Sequence, residues 1–362
     1  MGEVATSAAF VEHARRIKVD VDAALADYFA LLAKHHAATP LIADLDPILT
    51  ALRQLVERGG KRLRGAFLAA AFEACEGEDP AAITPALVAL ELLQAYLLIH
   101  DDWMDQDDVR RGGPTVHAAL RATFDGRDAD VCAILAGDLA HALALESLCT
   151  CRVREKYVAR ASRELGRMLH AVTIGQMLDV RGSAERRRTD LRAAIDTVYD
   201  MKTGSYTVRG PLVLGATLAG ASDARVADLE KIARPLGILF QLRDDLLGVF
   251  GDPSVTGKSD STDLLRGKFT ALVVEAADDS EVLGAIAELR RAHAAGAPES
   301  ETRGIAENLR TRITVCGARA RVEERMSLLH EEATQAIFAA DLTPRGRELL
   351  VGAANVMGGR DR

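Results

Sequence analysis

Residues 91–105 read ELLQAYLLIHDDWMD. With the turns before it, this segment places Ala86, Leu90, Leu93 and Leu97 at the three-to-four spacing of one helical face. A helix is predicted, with its carboxylates gathered at the C-terminal end. Asp101 and Asp105 stand four apart and share a face, and Gln94 lies on that face two turns earlier. Two carboxylates one turn apart repel, and burial makes the repulsion worse. A divalent cation removes the conflict. Magnesium prefers oxygen ligands, keeps several waters, and is commonly shared between one or two carboxylates and substrate phosphates. An acidic run by itself is usually a solvated helix end, so the neighbouring segments decide between the two readings.

Directly after Asp107 and Asp108 comes Arg110-Arg111-Gly112-Gly113-Pro114. Arginine forks bind phosphate oxygens bidentately, and glycine lets backbone approach closely. Carboxylates for a metal followed by arginines for phosphate suit a metal-bound diphosphate. The plainer alternative is that the arginines neutralise the aspartates. Residues 240–248, FQLRDDLLG, repeat the pattern with Asp244 and Asp245, but Gly248 stands four residues after Asp244. Residues 249–258, VFGDPSVTGK, then carry Lys258, with Arg266 and Lys268 beyond, as in a loop that closes over anionic groups. Residues 59–64, GGKRLR, lie at a predicted helix start, with Lys61 and Arg64 three apart on one face. Residues 201–204, MKTG, set Lys202 beside the Thr203 hydroxyl.

The rest of the 362 residues extends the helical reading. Aromatic residues make up 4%, hydrophobic residues 48%, and strand-like alternation is nearly absent. One all-α domain over residues 1–362, of roughly a dozen helices, is expected. A net charge of -8 with no basic block argues against a nucleic-acid partner. The five cysteines, Cys75, Cys132, Cys149, Cys151 and Cys316, form no CxxC pair and are read as reduced packing residues of a cytoplasmic protein. Glu3, Glu12, Arg15 and Arg16 interrupt any N-terminal apolar run. The longest uncharged stretch, Gly210 to Ser222, falls short of the ~18 residues of a membrane span, so no transmembrane segment is expected.

In order along the chain, these segments resemble the trans-polyprenyl diphosphate synthase family, which includes the farnesyl and geranylgeranyl diphosphate synthases. The matching pieces are residues 60–64, 101–105 and 110–112, Gly137-Asp138, Gly175-Gln176 with Asp179, Lys202-Thr203, Gln241 with Asp244-Asp245, and 256–258 with Lys268. The resemblance implies an all-α isoprenoid-synthase-type helical bundle around a deep central cavity, usually homodimeric. It implies Mg2+ held by Asp101, Asp105 and Asp244, three ions when substrate is bound. Arg110, Lys202 and Lys258 would hold the allylic diphosphate (dimethylallyl, geranyl or farnesyl). Lys61, Arg64, Gln94 and Arg111 would hold isopentenyl diphosphate. Thr203 and Gln241 would line the reacting carbons, Lys268 would help close the site, and Lys202 would act with the three aspartates in catalysis. The proton lost at the end is expected to go to the departed diphosphate.

In this family the residues before the first motif floor the growing chain. Tyr96 lies about 7.5 Å and Leu93 about 12 Å down the helix axis from Asp101. Leu97, four before Asp101, is not aromatic. One aromatic before an uninserted motif resembles the geranylgeranyl type, with a C20 product. A C15 farnesyl synthase is the second reading. A class I terpene cyclase would share the fold and first motif, but it usually carries a different second motif and has no need of Lys61 and Arg64. A non-catalytic partner subunit finds support only in Gly248.

Overall fold

A computed structural model describes residues 3–37, 42–182, 191–251, 262–265 and 267–359. Its elements are almost all helical. Cα packing groups them into two compact units. The first comprises Met1–Gly166, Pro211–Val226 and Asp341–Leu350, and the second Arg167–Gly210, Ala227–Ala340 and Val351–Arg362.

The first unit contains α1 (Glu3–His36), α2 (Ile42–Glu57), α3 (Leu63–Ala74), α4 (Thr84–Met104), α5 (Val116–Leu120) and α6 (Gly126–Cys149). A two-residue hairpin, β1 (Val109–Arg110) against β2 (Gly113–Pro114), follows α4. α4 starts after a short 3-10 turn, with Pro85 in its first turn where a missing N–H costs nothing. It ends at Asp105, before Gln106 turns the chain with φ 55°. Its principal packing partner is α6. α6 buries small residues at helical spacing, Ala129, Ala133, Ala136, Gly137, Ala140 and Ala144. That face of small residues leaves room for larger side chains of α4, such as His100 against Gly137. α3 is apolar between Gly65 and Phe72, and that stretch is buried.

His13 on α1 ties the first unit together from within. It is buried, and its Nε2 lies 3.1 Å from the Ala66 carbonyl oxygen of α3. Burial pulls its pKa down to about 4. The unfolded chain therefore takes up this proton more readily than the folded one. The stability linked to His13 is present in full above pH 6.5 and is lost as pH falls from 6.5 towards 4, by about 3 kcal/mol at the limit. His13→Gln should flatten that part of a melting-temperature profile. An identical acid slope in the variant would remove His13 as its source.

α7 (Glu155–Gly182) begins in the first unit and ends in the second. The second unit then holds α8 (Leu191–Val198) and a π-helical segment, Tyr199–Arg209. α9 (Gly210–Leu218), from Pro211 onwards, and the first turn of α10 (Asp223–Phe250) belong to the first unit, and the rest of α10 to the second. After α10 come α11 (Thr262–Leu265), α12 (Ala271–Glu275), α13 (Ser280–Ala294), α14 (Glu299–Val315), α15 (Ala318–Ala339) and α16 (Pro344–Gly358). Glycines let backbones meet on both sides of the π-helical segment. A Cβ on Gly175 of α7 would stand 2.3 Å from the Lys202 backbone nitrogen, and one on Gly237 of α10 would stand 2.9 Å from Gly204 Cα.

Helices 80–104 and 126–149 are long and apolar enough to cross a membrane by composition, although no uncharged stretch reaches that length. In this structure they pack on each other, and 67% and 44% of their apolar windows are buried inside the protein. Among the cysteines, Cys75 and Cys151 are buried, with thiols pushed up to about 11 by burial. Cys132 and Cys316 are half-buried. Cys149, the last residue of α6, is exposed and is not a packing residue.

Candidate active site

The carboxylate end of α4 divides its three aspartates by burial. Asp101 and Asp105 are half-buried and lie one turn apart, joined by the Asp105 N–H to Asp101 carbonyl bond of 2.8 Å. Asp102 is 0% exposed. Arg110 donates to its Oδ1 from Nε at 2.8 Å and also from Nη2. Burial pushes the Asp102 carboxyl up to about 6, and the Arg110 guanidinium limits the rise. Asp102 thus serves as the anchor of Arg110, while the other two face outwards. Carboxylates at a helix C-terminus also oppose the helix dipole, so a cation there is favoured on two counts.

The hairpin explains why two consecutive arginines can serve different places. Arg111 and Gly112 both have positive φ, 53° and 70°, the geometry of a tight primed turn. Arg110, on β1, reaches Asp102. Arg111, in the turn, lies along the opposite loop, where a Cβ on Gly60 would stand 3.3 Å from its Nη2. Arg58 braces the hairpin from below by donating to the Pro114 carbonyl at 2.7 Å.

Residues 59–62 precede α3 rather than forming its first turn. Lys61 therefore does not share a helical face with Arg64, as their spacing suggested. α3 begins only at Leu63, and Arg62 holds a left-handed backbone at φ 50°. Lys61 is exposed and Arg64 half-buried. Arg62 points inwards, 4% exposed, bonded to Asp22 Oδ1 at 2.9 Å, to Glu91, and to the Val56 carbonyl at 2.9 Å. Gln94 lies half-buried on α4, three residues after Glu91.

Behind the first motif, Tyr96 is half-buried between two histidines. Its ring centroid lies 4.8 Å from that of His100 and 5.1 Å from that of His141 on α6. Gly137 makes room for His100, because a Cβ there would stand 2.5 Å from the imidazole. Asp138 Oδ1 lies 3.7 Å from His100 Nε2. Leu97 is half-buried, whereas Leu93 is 1% exposed and belongs to the core.

The second unit repeats the division seen in the first. Asp244 is half-buried, and Asp245 is buried. Asp245 accepts from the hydroxyl of buried Tyr199, from Gln241 Nε2 at 3.1 Å and from the Ala271 N–H at 3.1 Å. Gln241 is thus oriented by the residue next to Asp244. Lys202 and Thr203 sit half-buried on the π-helical segment, and Lys202 Nζ lies 2.5 Å from Asp179 Oδ2 of α7. Lys268 is exposed. Gly248 is buried on α10. Lys258 and Arg266 lie outside the described residues.

Among the described residues, no three histidine, cysteine, aspartate or glutamate side chains form a group that could hold a metal ion by themselves. The pair Asp101 and Asp105 instead offers what a magnesium ion takes when most of its shell is water and phosphate. Arg62, Glu91, Tyr199 and His141 were not picked out from the sequence. Each acts through a partner on another helix, so neither spacing nor residue type marks it. Only the position of Arg62, between Lys61 and Arg64, gave any signal.

An all-α protein with a carboxylate-tipped helix beside two divergent arginines is built to handle diphosphates. Residues 46–299 match the family model described as polyprenyl synthetase, and the chain belongs to that family. It therefore has the isoprenoid-synthase fold and is a prenyltransferase. A geranylgeranyl diphosphate synthase of Methanosarcina mazei is 36% identical over 231 residues, 64% of this chain and 68% of that one. One from Mycobacterium tuberculosis is 38% identical over 241 residues, 65% of this chain and 64% of its own length. The crystal structure of geranylgeranyl pyrophosphate synthase from Corynebacterium glutamicum, complexed with isoprenyl diphosphate and magnesium, matches with a TM-score of 0.82. It is 31% identical, and the match covers 97% of this chain and 99% of that one.

Proposed function

We propose that the chain condenses isopentenyl diphosphate head-to-tail with an allylic diphosphate, and that its product is the C20 geranylgeranyl diphosphate. The observation that carries this reading is the parting of Arg110 and Arg111, one anchored on the aspartate motif and the other beside the Gly60 loop. A synthase must bind two diphosphates at once. A cyclase needs one, so the second set of basic groups, Lys61, Arg64 and Arg111, favours the synthase.

In this reading, which follows the family resemblance, Asp101, Asp105 and Asp244 would hold magnesium with the allylic diphosphate. When bound, the ions supply positive charge to the diphosphate oxygens as the C–O bond breaks. Arg110, Lys202 and Lys258 bind the same diphosphate, and Asp102 keeps the Arg110 fork aimed. Lys61, Arg64, Gln94 and Arg111 bind isopentenyl diphosphate. The apolar side chains of α4 exclude water from the allylic cation while the second double bond attacks it. Incubating the purified chain with magnesium, isopentenyl diphosphate and farnesyl diphosphate should give C20 diphosphate. A hydrocarbon product, or no extension by the chain alone, would overturn the assignment.

Relatives named geranylgeranyl diphosphate synthase support the C20 length, though a geranylfarnesyl diphosphate synthase of Aeropyrum pernix is also 34% identical over 250 residues. The ring pair of Tyr96 and His141 suits a floor built from two helices. Tyr96→Ala should shift products beyond C20, and His141→Ala should add to that shift, as chromatography of the dephosphorylated products would reveal. An unaltered product distribution in both variants removes these residues as the floor.

A further inference from the structure

Between exposed Lys61 and half-buried Arg64 stands a third cation that no substrate can reach. Arg62 is 4% exposed, and each of its three guanidinium nitrogens has a protein acceptor: Asp22 on α1, Glu91 on α4, and the Val56 carbonyl on α2. Its backbone is left-handed, which costs a side-chain-bearing residue energy and persists only where the surroundings fix it. Here the surroundings are those three helices. Glu91 is itself 3% exposed, and its Oε1 is buried without a hydrogen-bond partner among the described residues. The Glu91 charge also acts on Arg111, offsetting the repulsion that Arg62 and Arg64 exert on it. One buried carboxylate thus serves two arginines, one hydrogen-bonded and one at longer range.

We infer that Arg62, with Glu91, is the positioning residue of the isopentenyl diphosphate subsite. It presets the loop so that Lys61, Arg64 and Arg111 converge on one anion, and it does not touch the anion itself. This rests on the reading of those three side chains as that subsite. Like charges gathered before a ligand arrives repel one another, and a buried counter-charge fixed by α4 is what lets them wait in place. Because α4 also carries Asp101, the same ion pair ties the loop to the helix of the first aspartate motif.

Steady-state kinetics with each substrate varied in turn separates positioning from general damage. Arg62→Lys keeps the charge but can satisfy only part of the three-way fork. It should raise KM for isopentenyl diphosphate about tenfold or more, leaving kcat and the KM for the allylic diphosphate within about twofold. Glu91→Gln, which keeps the shape and one acceptor, should move the same constant in the same direction and serves if Arg62→Lys does not fold. Equal rises in both KM values, or a fall in kcat alone, would show a merely structural role and overturn the inference. So would an unchanged KM for isopentenyl diphosphate. Lys61→Ala is the control on the subsite. If it leaves that KM unchanged, the subsite reading falls and this inference with it; if it raises KM while Arg62→Lys and Glu91→Gln do not, only the inference falls.

Discussion

Asp101→Ala should lower turnover about a thousandfold, roughly 4 kcal/mol of lost transition-state stabilisation, while the protein stays folded. The physical basis is the division among the three aspartates. Asp101 is half-buried at a helix end whose dipole disfavours a carboxylate, so its removal does not weaken the fold. In the proposed mechanism it bears on the metal that takes up charge as the allylic bond breaks. Turnover measured at saturating magnesium and both substrates, beside a melting curve, tests both halves. Wild-type turnover would remove Asp101 from the chemistry. A large fall in melting temperature would show that it holds structure instead. Loss of Asp102 should lower the melting temperature as well as turnover, because it leaves the half-buried Arg110 guanidinium without its main partner.

Gly175→Ala should be a severely damaging single methyl group in the second unit. The added carbon would stand 2.3 Å from the Lys202 nitrogen, 2.7 Å from its Cα and 2.7 Å from the Met201 carbonyl carbon. All three are backbone atoms, and no side-chain rotation relieves the clash. α7 and the π-helical segment must separate, at about 3 kcal/mol or more. Lys202 moves with the segment, so turnover should fall as well as stability. Gly166→Ala on the same helix is the matched control, since a Cβ there meets nothing within 4 Å. That variant should be neutral or more stable by up to about 1 kcal/mol. Equal melting temperatures for the two variants would show that the close approach of α7 to Lys202 is not needed.

Much of the site could be read from local spacing. The i, i+4 relation of Asp101 and Asp105 needs only a helix, and the apolar stripe through Leu90 and Leu93 predicted that helix. The order of the basic segments then suggested two diphosphates. Spacing alone puts Lys61 and Arg64 on one helical face, and the left-handed turn at Arg62, imposed from outside the segment, parts them. The π-helical stretch at 199–209 was equally hidden. It depends on glycines at 175 and 237 that admit other backbones, and neither adjoins it in sequence.

The amino-acid sequence alone determined the all-α class, the positions of both aspartate pairs and the identities of the charged groups. These follow from helical periodicity, which acts over a few residues. Tertiary structure decided which member of each pair faces outwards. Asp102 is taken by Arg110, and Asp245 by Tyr199 across 46 residues of chain. It also decided that Arg110 and Arg111 part company, and that Arg62 turns inwards to Glu91 and Asp22. The physical reason is the same throughout. A buried charge must find its partner, and which helix supplies that partner depends on how the helices pack rather than on the residues beside it.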